Sequence, residues 1–193
     1  MVVRESSELS LSWDGRVTFA FDAGAVCLEL LTTGGARKYP GYEALRAPED
    51  LARWLGTCRL RIDDVRVADD DVPAARQLRA AVWAAALATI EGRPVPRPSV
   101  AMINELAAPA PPTPLLVGDR RGWAIDATGA QALSAIARDA IDLFGGGYAT
   151  RVRECASDNC SLVFVDLSRP GQRRWCSMER CGNRAKQRAR HAR

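Results

Sequence analysis

The sequence predicts an α+β chain, mainly helical over residues 1–147 with short β-hairpins, and a small separate module over residues 148–193. Three observations carry that prediction. Apolar residues recur at helical spacing in several segments between residues 48 and 144, polar and apolar residues alternate over residues 9–21, and four of the six cysteines crowd into residues 155–181. Recurrence every three or four residues marks a one-sided helix, and strict alternation marks a half-buried strand.

In chain order, Leu9, Leu11 and Trp13 lead to a turn at Asp14-Gly15, and Val17, Phe19 and Phe21 follow, which predicts a hairpin with one buried face. Residues 25–31 fit either a strand or a helix, and helix is the preferred reading, ended by Gly34-Gly35. Pro48 to Leu55 reads as a helix with Leu51, Trp54 and Leu55 inward, Pro48 in its first turn and Gly56 at its stop. Pro73 opens a longer helix to about Glu91, with Leu78, Val82, Ala85, Leu87 and Ile90 on its apolar face. A break at residues 92–98 precedes a short helix from Ser99, as N-cap, to Ala107. Prolines at 109, 111, 112 and 114 exclude regular helix there. A second hairpin is expected with arms Leu115–Val117 and Trp123–Ile125. Residues 130–144 place Leu133, Ile136, Ala137, Ala140, Ile141 and Phe144 on one continuous stripe. Gly145-Gly146-Gly147 then marks the boundary between a 1–147 domain and a 148–193 module.

Composition narrows the function classes. At 193 residues, 47% hydrophobic and 26% charged, the chain has the balance of a globular protein, which excludes wholesale disorder and fibrous structure. The net charge of +4 averages two unlike parts: residues 151–193 carry +7 and residues 1–150 carry −3. No apolar run approaches the roughly 20 residues of a membrane helix. Residues 1–8 hold no apolar core of the secretory-leader kind, so a cytoplasmic chain with reduced thiols is expected. Within the body, Cys27 and Cys58 read as buried small hydrophobes and Asp69-Asp70-Asp71 as a solvated turn. The single histidine, His191, stands third from the end of the sequence, so a Cys–His or Ser–His hydrolase would need it to reach back into a cleft. No phosphate loop or nucleophile elbow is present, so the expectation is a protein that is not an enzyme.

The sharpest signal is Cys155-x4-Cys160-x15-Cys176-x4-Cys181. Two close pairs separated by a longer segment are the spacing of a tetrahedral four-thiolate zinc site, with one structural Zn²⁺ and no open position for catalysis. Two disulfides or an iron–sulfur centre draw on the same residues, and the reducing compartment favours zinc over the first. Residues 162–165 read as a strand, 169–172 as a turn and 173–175 as a returning strand, followed by a C-terminal helix. That order is treble-clef-like. On the helix, Ala185, Ala189 and Ala192 form a small-residue stripe suited to docking, while Arg184, Lys186, Arg188 and Arg190 are expected to face outward. With Arg173 and Arg174 of the hairpin they form a basic footprint suited to nucleic-acid phosphates. Trp175 reads as structural rather than as a base-stacking platform.

Arg153, Cys155, Cys160, Phe164, Asp166, Ser168 and Arg169, then Arg173-Arg174-Trp175-Cys176-Ser177-Met178 and Cys181-Gly182-Asn183-Arg184, resemble the CGNR zinc-finger module over residues 151–188. Upstream, Phe21-Asp22-Ala23-Gly24, residues 27–33 and Pro48–Leu55 resemble the ABATE domain, which accompanies this finger in bacterial proteins described as stress-induced transcription regulators. Glu29 and Thr32 stand where that family usually shows Asp and Asn, so no ligand role is carried to this segment. The resemblance implies a cytoplasmic bacterial regulator. Its zinc finger would bind DNA, and its N-terminal domain would sense a small-molecule effector or form a homodimer. The competing expectation is a zinc-stabilised protein–protein interaction module, or an RNA binder, without DNA contact.

Overall fold

A computed structural model of the chain describes residues 9–13, 17–35 and 41–191. The protein is α+β and mainly helical. Strands β1 (Leu9–Trp13) and β2 (Val17–Phe21) pair antiparallel with Leu11 opposite Phe19, as the alternation predicts. The Asp14-Gly15 turn and the side chains of residues 9–19 lie outside the described residues. Phe21, at the end of β2, is fully buried.

The ambiguous segment is helical: α1 (Val26–Leu30) runs into a single 3₁₀ turn at Leu31–Thr33. All five α1 residues are buried, which explains why periodicity alone left the assignment open. Helix α2 (Pro48–Thr57) starts with Pro48 at its first position, where the missing N–H costs nothing. The Asp50 carboxylate accepts the Ala47 and Arg46 amides at 3.1 and 3.0 Å and so caps this end. Leu51 and Leu55 are fully buried, and the helix runs one residue past Gly56.

Helices α3 (Asp71–Ile90), α4 (Arg97–Ala107) and α5 (Gly129–Gly145) pack on one another as the centre of the body. Leu78, Val82, Ala85, Ile103, Leu133, Ile136, Ala137 and Ala140 meet in this core. Burying each leucine or isoleucine contributes about 1.5–3 kcal/mol, so the stripe dominates the stability of α5. Thr128 caps α5 reciprocally with Gln131: its hydroxyl accepts the Gln131 amide at 3.3 Å, and Gln131 Oε1 accepts the Thr128 amide at 3.0 Å.

Three sequence expectations need correction in the body. Helix α4 begins at Arg97, which puts Pro98 in its first turn and Ser99 inside the helix rather than at the cap. Asp71 is not a solvated turn residue. It is buried, accepts the Ala68 amide at 2.8 Å, and its carboxylate lies against Gly129 at the start of α5. The second hairpin has arms β3 (Pro114–Val117) and β4 (Arg120–Trp123). Its two-residue turn at Gly118-Asp119 sets Val117 opposite Arg120. The tight turn moves the second arm forward and leaves Ile125 beyond the ladder, 92% exposed.

The C-terminal segment begins with a 3₁₀ turn at Ala149–Arg151 and strand β5 (Val152–Glu154), which pairs antiparallel with β6 (Val163–Val165). The hairpin therefore spans the first cysteine pair. Residues 173–175 form no strand: a single backbone bond, Ala156 N–H to Arg174 O at 3.0 Å, ties them to the knuckle. The expected treble-clef order is thus met by knuckle and helix but not by a returning strand. One turn of π-helix at Met178–Gly182 leads into α6 (Asn183–His191).

The module is seated on the body along Asp22-Ala23-Gly24. Val165 N–H donates to Ala23 O at 2.9 Å, and the Arg173 guanidinium donates to Asp22 O at 3.2 Å. Gly24 has a left-handed φ of +78°, and a Cβ there would stand 3.0 Å from Val165 Cβ, so this approach needs glycine. A cavity of about 130 Å³ lies in the seam, lined by Gly24, Ala25, Asp139, Leu143, Tyr148 and Val165.

Candidate metal centre and its basic surface

Cys155 follows β5 directly, Cys160 closes the knuckle loop that returns the chain to β6, Cys176 follows the extended 173–175 segment, and Cys181 sits in the π-turn. All four are buried, and their sulfurs lie within 4.8 Å of one another. Cys160 and Cys176 Sγ are 3.7 Å apart, and Cys176 and Cys181 Sγ 3.5 Å. A tetrahedron with Zn–S bonds of about 2.3 Å has edges of about 3.8 Å, so the cage fits one Zn²⁺ ion. None of the six cysteines is disulfide-bonded, which leaves the thiol set intact for metal.

The donor chemistry points the same way. Hydrogen bonds among the crowded thiols shift their proton affinities in opposite directions. S–H donation from Cys160 and Cys176 pulls Cys155 down to about 2, while donating to Cys155 pushes Cys160 up to about 12. Cys176 rises further for the same reason. Four adjacent thiolates repel one another, and a divalent cation at their centre is what allows all of them to lose their protons. The two remaining cysteines behave as expected from sequence: burial pushes Cys58 up to about 12 and, together with Asp139, raises Cys27 well above the ordinary thiol range.

Asp166 organises the return path between the two pairs. Its carboxylate accepts the Ser168 amide and hydroxyl at 3.0 and 2.6 Å and the Arg173 amide at 2.9 Å. Burial opposes ionisation there, but these donors outweigh it and hold the carboxyl below the usual range.

The six basic residues picked out by sequence divide into two sets. Arg173 turns inward, with its guanidinium 4.1 Å above the Phe164 ring and donating to the carbonyls of Asp22, Trp175 and Cys176. Arg184 also turns inward and donates to Cys181 Sγ at 3.3 Å. Arg188 reaches back to Asp158 Oδ2 at 3.1 Å and so straps α6 to the knuckle. Arg174, Lys186 and Arg190 are exposed, with Arg174 5.2 Å from the centre of the Trp175 ring. Helix α6 is thus tied to the rest of the module through Arg184 and Arg188 and leaves Lys186 and Arg190 exposed, while the Ala189 side chain and Ala192 lie outside the described residues. Both ties come from arginines, which the alanine pattern did not reveal.

Sequence reading also missed a buried ionic network under the module. Glu29, fully buried, accepts the Arg59 amide at 2.8 Å and its Nε at 3.1 Å. Arg59 Nη2 donates in turn to Asp22 Oδ1 at 2.7 Å. The one available signal was the acidic residue inside an otherwise apolar 26–31 run.

A helical α+β body carrying a buried four-cysteine metal finger beside its own core defines a zinc-finger protein. No helix among the described residues is long and apolar enough to cross a membrane. Residues 151–193 match the CGNR zinc finger, and residues 24–147 match the ABATE family, described as "Putative stress-induced transcription regulator". The chain belongs to the ABATE family. A comparison with curated proteins gives no match.

Proposed function

We propose that this protein is a non-catalytic, cytoplasmic transcription regulator whose zinc finger binds DNA through Arg174, Lys186 and Arg190. The observation that carries this reading is the division of the basic residues: Arg173 and Arg184 turn into the finger, while Arg174, Lys186 and Arg190 stay exposed on it. Charges fixed on a rigid, metal-held element suit phosphate neutralisation. The N-terminal body would supply regulation, with the seam cavity as the place where an effector acts on finger and body together.

Fluorescence anisotropy with labelled duplex DNA at a series of salt concentrations tests the proposal. The wild-type affinity is expected to fall linearly on a log–log plot, and replacing all three residues by alanine should reduce the slope by about 3, one for each phosphate contact. Affinity that ignores salt and survives the triple substitution would remove the DNA reading. A specific observation favours a second reading, a protein–protein interaction role: β3 leaves Leu116 and Val117 81% and 62% exposed. Recovery of a protein partner with no nucleic-acid affinity would select it.

A further inference from the structure

We propose that Arg184 is a positioning residue of the metal centre, its guanidinium holding the Cys181 thiolate in place and balancing the charge of the four-sulfur group. Four thiolates around one Zn²⁺ carry a formal charge of −2, and all four cysteines are buried. Buried net charge is tolerated only beside a counter-charge or directed donors. The Cys176 amide supplies one donor, to Cys155 Sγ at 3.4 Å. Arg184 supplies the cation, with Nη2 3.3 Å from Cys181 Sγ.

Two details argue against a chance contact. The Arg184 Nε is buried without an oxygen or nitrogen acceptor among the described residues, so no carboxylate draws this guanidinium inward. Its neighbours on α6 behave differently: Arg188 finds Asp158, and Lys186 stays exposed. A guanidinium also suits the place better than an ammonium, because its planar fork is weakly hydrated and directs N–H groups along fixed lines. The contact follows from chain geometry, since Cys181 and Arg184 are three residues apart across the junction of the π-turn and α6 and therefore share a face.

The test uses full-length R184Q and R184K, with Q187A at an exposed position of the same helix as a control, and reads the metal rather than DNA. Chelator competition should show R184Q losing Zn²⁺ about 10–100-fold more readily, the usual effect of removing a partner of a metal ligand. With Co²⁺ in place of Zn²⁺, the thiolate-to-cobalt absorption band should shift in R184Q, and mass-mapped alkylation of Cys181 should accelerate relative to Cys155. R184K should recover part of each loss, and Q187A should match the wild type. R184Q with a chelator midpoint within twofold of wild type, the same cobalt band and the same alkylation order would overturn the proposal. Should R184Q fail to fold by circular dichroism, R184K carries the decision: a cobalt spectrum and midpoint identical to wild type would overturn it too. These readouts are independent of DNA affinity, so failure here leaves the proposed function standing, and the reverse.

Discussion

Single residues show how electrostatics and burial were divided in this chain. Glu43 grips Arg79 with both oxygens, at 2.9 Å to Nη1 and 2.5 Å to Nη2, and also accepts the Leu45 amide at 2.8 Å. Burial raises the Glu43 carboxyl, but the Arg79 guanidinium, the Leu45 amide and the nearby Arg76 outweigh it and hold it below the ordinary range. A depressed folded-state value means that the ionised pair adds stability above about pH 4.3, the unfolded value of a glutamate. That stability is lost as the pH falls through the lower folded value. Glu43→Gln is expected to cost about 2 kcal/mol at pH 7 by urea denaturation, and the gap to wild type should narrow as the pH falls through that lower folded value. A gap that stays constant with pH would disprove the assignment. The cysteine ligands were legible in the sequence because their chemistry is written in short spacings. The Glu43–Arg79 and Glu29–Arg59–Asp22 pairs were not, since nothing local distinguishes a buried carboxylate from a solvated one.

At the scale of elements, periodicity found the helices and missed what joins them. The stripe from Leu133 to Phe144 located α5 because its apolar face repeats over about three turns. The returning strand expected at residues 173–175 failed because three residues of mixed polarity cannot specify a ladder partner. Their real determinants are Asp166, Phe164 and the Asp22 carbonyl, the last 151 residues away. The seam is the most exacting junction. Gly24→Ala would impose a left-handed backbone on alanine and push Val165 from the Ala23 carbonyl. The expected loss is about 2 kcal/mol in urea denaturation, with faster proteolysis of the 166–174 segment. A loss below about 0.5 kcal/mol, within the range of an ordinary surface change, would show that the seam is slack.

For the whole molecule, the uneven charge and the uneven cysteines have one origin. The last 43 residues are too few to build a hydrophobic core of their own. They fold by gathering four sulfurs around a cation and by lending Val152, Val163, Phe164 and Val165 to the core of the body. Part of the +7 balance is consumed inside this arrangement, by Arg173 and Arg184, and only the remainder is available to a partner. Metal removal should therefore open the finger while α2, α3, α4 and α5, which pack on one another through Leu51, Leu78, Ile103 and Ile136, keep their helicity.

Native mass spectrometry of the purified full-length chain, alongside the Cys181→Ser variant, tests the central claim most directly. The account predicts one zinc ion per wild-type chain, lost together with the folded finger when Cys181 is replaced. A folded chain without metal, or one whose mass shows the cysteines paired as disulfides, would contradict it.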